Sequence, residues 1–139
     1  MFANQAKLIN VPKFIDNELL VHGCYERMFY NSGIKQLPEL PATILTNECY
    51  KSMFQLCYNL KNVTLFLPAE KLTEFCYEKM FYACENIEIL NLTYNAKEYG
   101  LGSFKQMFMY CYKLTYGPYS NSIFKNENTD GFEMIKLTD

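Results

Sequence analysis

Six cysteines, one histidine and a scatter of carboxylates are the residues that could do chemistry in this chain of 139 residues. Cys24, Cys49, Cys57, Cys76, Cys84 and Cys111 include the spacing Cys-x-x-x-Met-x-x-x-Cys, at Cys49-Met53-Cys57 and Cys76-Met80-Cys84. In the abstract that donor set suits a soft metal such as Cu(I), and six cysteines also invite a disulfide framework. Their positions favour a plainer reading. One column runs Cys24, Cys49, Cys76, Ser103, and a second runs Ser32, Cys57, Cys84, Cys111. Serine replaces cysteine once in each column, as expected where a small side chain must fit. Three cysteines per column also cannot all pair within it. Buried free thiols are therefore expected, with no metal and no cofactor. His22 reads as a solvated turn residue. A single histidine removes most histidine-based catalysis, and no Gly-rich phosphate loop or hydrolase elbow is present. Glu39, Glu48, Glu70, Glu74, Glu78, Glu85 and Glu88 come one or two per repeat and read as solvated charge, not as a converging acid–base pair. The expectation is a non-catalytic protein.

The columns exist because the chain repeats. Met-Phe recurs at Met28-Phe29, Met53-Phe54, Met80-Phe81 and Met107-Phe108, with spacings of 25, 27 and 27. An aliphatic pair three apart recurs in step, at Leu8/Val11, Ile34/Leu37, Leu60/Val63 and Ile87/Leu90, and Leu114 starts a fifth copy that Gly117 breaks. At about 100° per residue, Cys49, Tyr50, Met53, Phe54 and Cys57 fall on one arc, so the Met-Phe element is predicted to be a short amphipathic helix. Thr46 or Asn47, and Thr73, stand where N-caps belong, and Gly33, Asn59 and Asn86 where a left-handed C-cap belongs. In residues 62–67 and 89–93 apolar and polar side chains alternate, which predicts strands with one face inward. Pro41 and Pro68 punctuate the turns that follow. A unit this small cannot bury its apolar face alone, so the units are expected to stack.

Leu60-x-x-Val63-x-Leu65 and Ile87-x-x-Leu90-x-Leu92 resemble the start of a leucine-rich repeat. The full unit resembles the BspA-like group, matched at Met53-Phe54 to Cys57 to Leu60, Met80-Phe81 to Cys84 to Ile87, and Met107-Phe108 to Cys111 to Leu114. The resemblance covers roughly residues 8–117. It implies an α/β repeat: a short leucine-rich-repeat solenoid of four to five units of 25–27 residues, with a parallel strand ladder on one face and short helices on the other. It also implies adhesion and protein binding of the bacterial cell-surface kind. The expected domain division is a solenoid over 1–117 and a C-terminal cap or tail over 118–139, where Phe132-Glu133-Met134-Ile135-Lys136-Leu137 could add a strand.

In such a ladder the outward positions form columns. Asn10, Gln36, Asn62, Ile89 and Tyr116 make one; Pro12, Pro38, Thr64 and Asn91 the next; Phe14, Leu40, Phe66 and Thr93 a third. Gln36, Asn62, Thr64, Phe66, Ile89, Asn91, Thr93 and Tyr116 are the candidate protein-binding residues. The composition narrows the partner. Thirteen basic against fifteen acidic residues give a net charge of −2, which disfavours a phosphate-binding surface and hence nucleic acid. Half the residues are hydrophobic, too many for a disordered chain. No apolar run reaches the ~18 residues of a membrane span. The start, residues 1–7, shows no secretory-signal pattern. That pattern leaves a cytosolic chain, a trimmed one, or one carried by a larger assembly. The array is short and has few residues before its first strand, so that end either frays or packs against another chain. A structural part of a larger assembly, such as a bacteriophage virion or fibre, is the alternative to a recognition module.

Overall fold

The structure is a computed structural model and describes residues 2–11 and 20–114. Two strands form, β1 (Asn62–Leu67) and β2 (Ile89–Tyr94). They pair in parallel with Asn62 opposite Ile89 and Leu67 opposite Tyr94. Their burial alternates as predicted: Val63, Leu65, Leu67, Leu90 and Leu92 point into the core. The laps of chain do stack, and the core runs along the stack axis.

The predicted helices do not form. No helix occurs among the described residues, and only two of the predicted strands are there. An α/β solenoid with helices on one face is therefore not the architecture. The Met-Phe segments are ribbons of overlapping turns instead. In residues 23–32, every second N–H closes a local turn: Glu26 to Gly23, Met28 to Tyr25, Tyr30 to Arg27 and Ser32 to Phe29. The intervening N–H groups leave the segment. Tyr25, Arg27, Phe29 and Asn31 donate to the carbonyls of Cys49, Lys51, Met53 and Gln55 one lap later. The same arrangement links residues 48–56 to 74–82, and 75–83 to 101–109. An α-helix would spend all of these groups within its own segment. Here half of them bind successive laps together.

This geometry needs a left-handed residue at every fourth position. Positive φ occurs at Gly23, Arg27 and Asn31, then at Glu48, Ser52 and Leu56, at Phe75, Lys79 and Ala83, and at Gly102, Gln106 and Tyr110. The left-handed region costs a non-glycine residue about 1–2 kcal/mol and is worst for β-branched side chains. None of the four ribbons contains Val, Ile or Thr. The interlap hydrogen bonds and the buried side chains offset that strain.

Two aromatic stacks run through the core. Phe2, Phe29, Phe54, Phe81 and Phe108 lie 5.4, 5.7, 5.4 and 5.5 Å apart in sequence, centroid to centroid. Tyr25, Tyr50, Tyr77 and Phe104 follow at 5.6, 5.9 and 5.5 Å. All but Tyr77–Phe104, which is tilted by 30°, are near-parallel stacks, and such pairs contribute about 0.5–1.5 kcal/mol each beyond burial. Phe2 shows that Met1-Phe2, 27 residues before Met28-Phe29, is a further copy of the dipeptide.

The residues expected to cap helices tie laps together instead. Asn59 Nδ2 donates to the Gly33 carbonyl at 3.1 Å, and Asn86 Nδ2 to the Tyr58 carbonyl at 2.8 Å. Thr73 Oγ1 donates to the Thr46 carbonyl at 2.8 Å, and the Asn47 side chain accepts from the Glu74 N–H at 3.2 Å. Gly33 has no left-handed φ. It is needed for close approach, because a Cβ there would lie 2.0 Å from the Ala6 carbonyl oxygen.

Two substitutions probe this packing. Gly33→Ala should lower the melting temperature by forcing residues 5–9 off the next lap. Tyr77→Phe should raise it, because the buried Tyr77 hydroxyl has no hydrogen-bond partner and such a group costs about 1–3 kcal/mol. Phe104 already occupies the same stack without a hydroxyl. Thermal unfolding followed by circular dichroism checks both.

Candidate functional site

The outward face of β1 and β2 is where the sequence placed the site. Asn62, Thr64 and Phe66 are exposed on β1, and Ile89, Asn91 and Thr93 on β2. The register sets them side by side as Asn62–Ile89, Thr64–Asn91 and Phe66–Thr93. Parallel neighbours in a sheet sit about 4.8 Å apart, so these six side chains form one continuous patch. Phe66 is 50 % exposed and Ile89 37 %, which is high for large apolar groups flanked by polar ones. Gln36 is exposed but lies on the lap before β1, outside the two-stranded sheet. Tyr116, Pro12 and Phe14 lie outside the described residues, as do the expected cap 118–139 and its strand at 132–137.

The columns fail at one lap. Pro38 and Leu40, expected outward, are buried, and Glu39 between them is exposed. The phase of this lap is thus opposite to that of β1. Two features account for it. The lap from Met28 to Met53 has 25 residues against 27 for its successors, and Pro38 and Pro41 lack the N–H that a ladder needs. Among the described residues, no backbone hydrogen bond joins residues 34–46 to residues 60–73. The two laps part there, and a cleft of about 570 Å³ opens between residues 37–41 and residues 64–68. Its walls are Pro38, Leu40, Pro41, Phe66 and Pro68, with Glu39 as the charged group. Sequence reading missed this cleft, although the shorter spacing and the two prolines were its signal.

No family model, curated protein or solved structure matches the chain. The chemistry of its groups must therefore be read from the geometry.

All six cysteines are free thiols, five of them buried, with Cys24 half-buried. One column has a role that packing alone did not suggest. Cys57 Sγ donates to the Phe29 carbonyl at 3.1 Å, Cys84 to Phe54 at 3.0 Å and Cys111 to Phe81 at 3.1 Å. Each of these carbonyls also accepts the N–H three residues ahead. The thiol therefore fills the second lone pair of a buried carbonyl. Burial pushes the Cys49 and Cys111 thiols up to about 12 and raises those of Cys57, Cys76 and Cys84. Thiols held this way are protonated and poor nucleophiles or metal ligands. Among the described residues, no group of three or more His, Cys, Asp or Glu could hold a metal.

The carboxylates are not all solvated. Glu78, expected exposed, is buried at 7 %. Lys51 lies 3.4 Å from Glu78 and 3.2 Å from Glu48, whose other oxygen is 3.2 Å from His22 Nε2. Burial pulls the Lys51 ammonium down, but hydrogen bonds and charge from Glu48 and Glu78 outweigh it and hold its pKa above the ordinary value. These contacts join His22, just before the first ribbon, to Glu48 and Lys51 of the second and Glu78 of the third. Away from the strands, Tyr58, Tyr110 and Tyr112 are exposed, with Tyr110 5.2 Å from Tyr82 and 5.9 Å from Tyr112. Tyrosine counting alone could not separate these from the buried Tyr50 and Tyr77.

The thiols set an alkaline limit on stability. Their folded pKa values lie above the ordinary 9.0, so the unfolded chain loses protons first as pH rises. The stabilisation is complete below about pH 9 and is lost progressively up to about pH 12. The melting temperature, measured in reductant from about pH 8 to about pH 11, should hold and then fall through this window.

Proposed function

We propose that the chain is a non-catalytic protein-recognition module that binds its partner through the outward face of β1 and β2. The observation that carries this reading is the in-register patch of Asn62, Thr64, Phe66, Ile89, Asn91 and Thr93, where half-exposed apolar groups stand among uncharged polar ones. Such a surface buries apolar area at its centre and satisfies hydrogen bonds at its rim, which is the anatomy of protein interfaces. The absence of charge from the patch itself favours neither phosphate nor nucleic acid. Resemblance of the repeat unit to BspA-like repeats supports the same class of function, and it favours a setting at a cell surface or on a virion.

The Asn62→Ala, Phe66→Ala double variant tests the reading. Both side chains are exposed, so the fold should be retained, with an unchanged melting temperature. A partner captured by cross-linking from the native source should bind the variant at least about tenfold more weakly, the loss of roughly 1.4 kcal/mol. Unchanged affinity in a titration would remove this face from consideration.

A further inference from the structure

Among the described residues, the backbone of β1 is paired on one side only. The N–H of Ile89 donates to the Lys61 carbonyl at 3.2 Å, and that of Asn95 to the Leu67 carbonyl at 3.1 Å. In a parallel ladder, partners alternate with a period of two. Residues 61, 63, 65 and 67 therefore face β2, and Asn62, Thr64 and Phe66 turn their N–H and C=O groups to the opposite edge. That edge looks toward residues 37–41 across the cleft. No backbone bond crosses from the described residues there. Pro38 and Pro41 could not supply N–H groups for a ladder in any case.

A row of strand N–H and C=O groups with no partner among the described residues has one natural complement, the backbone of another extended chain. The cleft adds the side-chain requirements. Pro41, Phe66 and Pro68 offer apolar contact over the buried Pro38 and Leu40, and Glu39 is the one charged group on the wall. We infer that the cleft receives an extended segment of a partner protein, which pairs with the free edge of β1 at Thr64 and Phe66, seats alternate apolar side chains against the prolines and Phe66, and presents a basic residue to Glu39. This rests on the recognition reading above and deepens it. The flat face supplies contact area, and the edge beside it supplies main-chain recognition. Alternate residues of an added strand point the same way, so the apolar groups of the segment should recur at every second position.

An immobilised library of random decapeptides is the probe, applied to the full chain. Bound sequences should share alternating apolar residues and a Lys or Arg. Backbone N-methylation at alternate positions of a bound peptide should weaken it about tenfold, since it removes main-chain hydrogen bonds. Glu39→Lys should weaken the same peptides about tenfold and shift selection toward acidic ones. Thr64→Pro removes an edge N–H without touching the β2 ladder and should abolish selection. If that variant fails to fold, the N-methylated peptides carry the same test on the unaltered protein. Peptides indifferent to N-methylation and to Glu39→Lys would overturn the inference, as would a library with no binder. A captured partner separates the two levels. Affinity lost in the Asn62→Ala, Phe66→Ala variant but kept in Glu39→Lys and Thr64→Pro would leave the face and eliminate the edge. Affinity kept in all three would eliminate both.

Discussion

The direction of alternate backbone N–H groups is the constraint on which this structure depends. In each of the first three ribbons one N–H closes a turn and the next reaches the following lap. Main-chain groups removed from water must be paired, and this division pairs them without a helix or a continuous sheet. It demands a left-handed residue at every fourth position. It also brings equivalent residues of successive laps to within stacking distance, so the phenylalanines and tyrosines form two continuous ladders. The thiols of Cys57, Cys84 and Cys111 complete the arrangement, each on a phenylalanine carbonyl of the preceding lap.

Side chains that hold laps together are mostly short and polar. Asn59, Asn86, Thr73 and Asn47 each span the gap with one hydrogen bond. Each such bond is worth about 1 kcal/mol net, less than the buried aromatic ladders, but it fixes register, which ring stacking alone does not. Register is lost where the repeat is two residues short. There the backbone bonds lapse, the prolines intervene, and the cleft opens beside β1. A defect in periodicity thereby lies next to the patch of exposed, aligned strand residues on β1 and β2.

Much of this was legible in the residues. The period, the inward positions of the Met-Phe segments, the two cysteine columns and the alternation in residues 62–67 and 89–93 all follow from spacing. The error about helices has a definite cause. A turn ribbon with a four-residue period buries positions 49, 50, 53, 54 and 57, and a helix of 3.6 residues per turn buries the same five. Over nine residues the two periods do not separate. The lack of Val, Ile and Thr suits a helix as well as a left-handed ribbon. Asn59 and Thr73 misled for a related reason, because a residue fit for local capping is equally fit to bond a backbone group of the next lap.

By itself, the sequence determined which residues are inside, how often the pattern returns and which strand positions face outward, because burial follows the side-chain period. The tertiary structure alone decided where each backbone hydrogen bond goes, and with it the choice between helix and ribbon. That choice depends on whether a neighbouring lap stands within bonding distance of every second N–H, a property of the stack and not of any one segment. The cleft and the free edge of β1 belong to the same class. They arise from a mismatch between two laps, which only their mutual placement reveals.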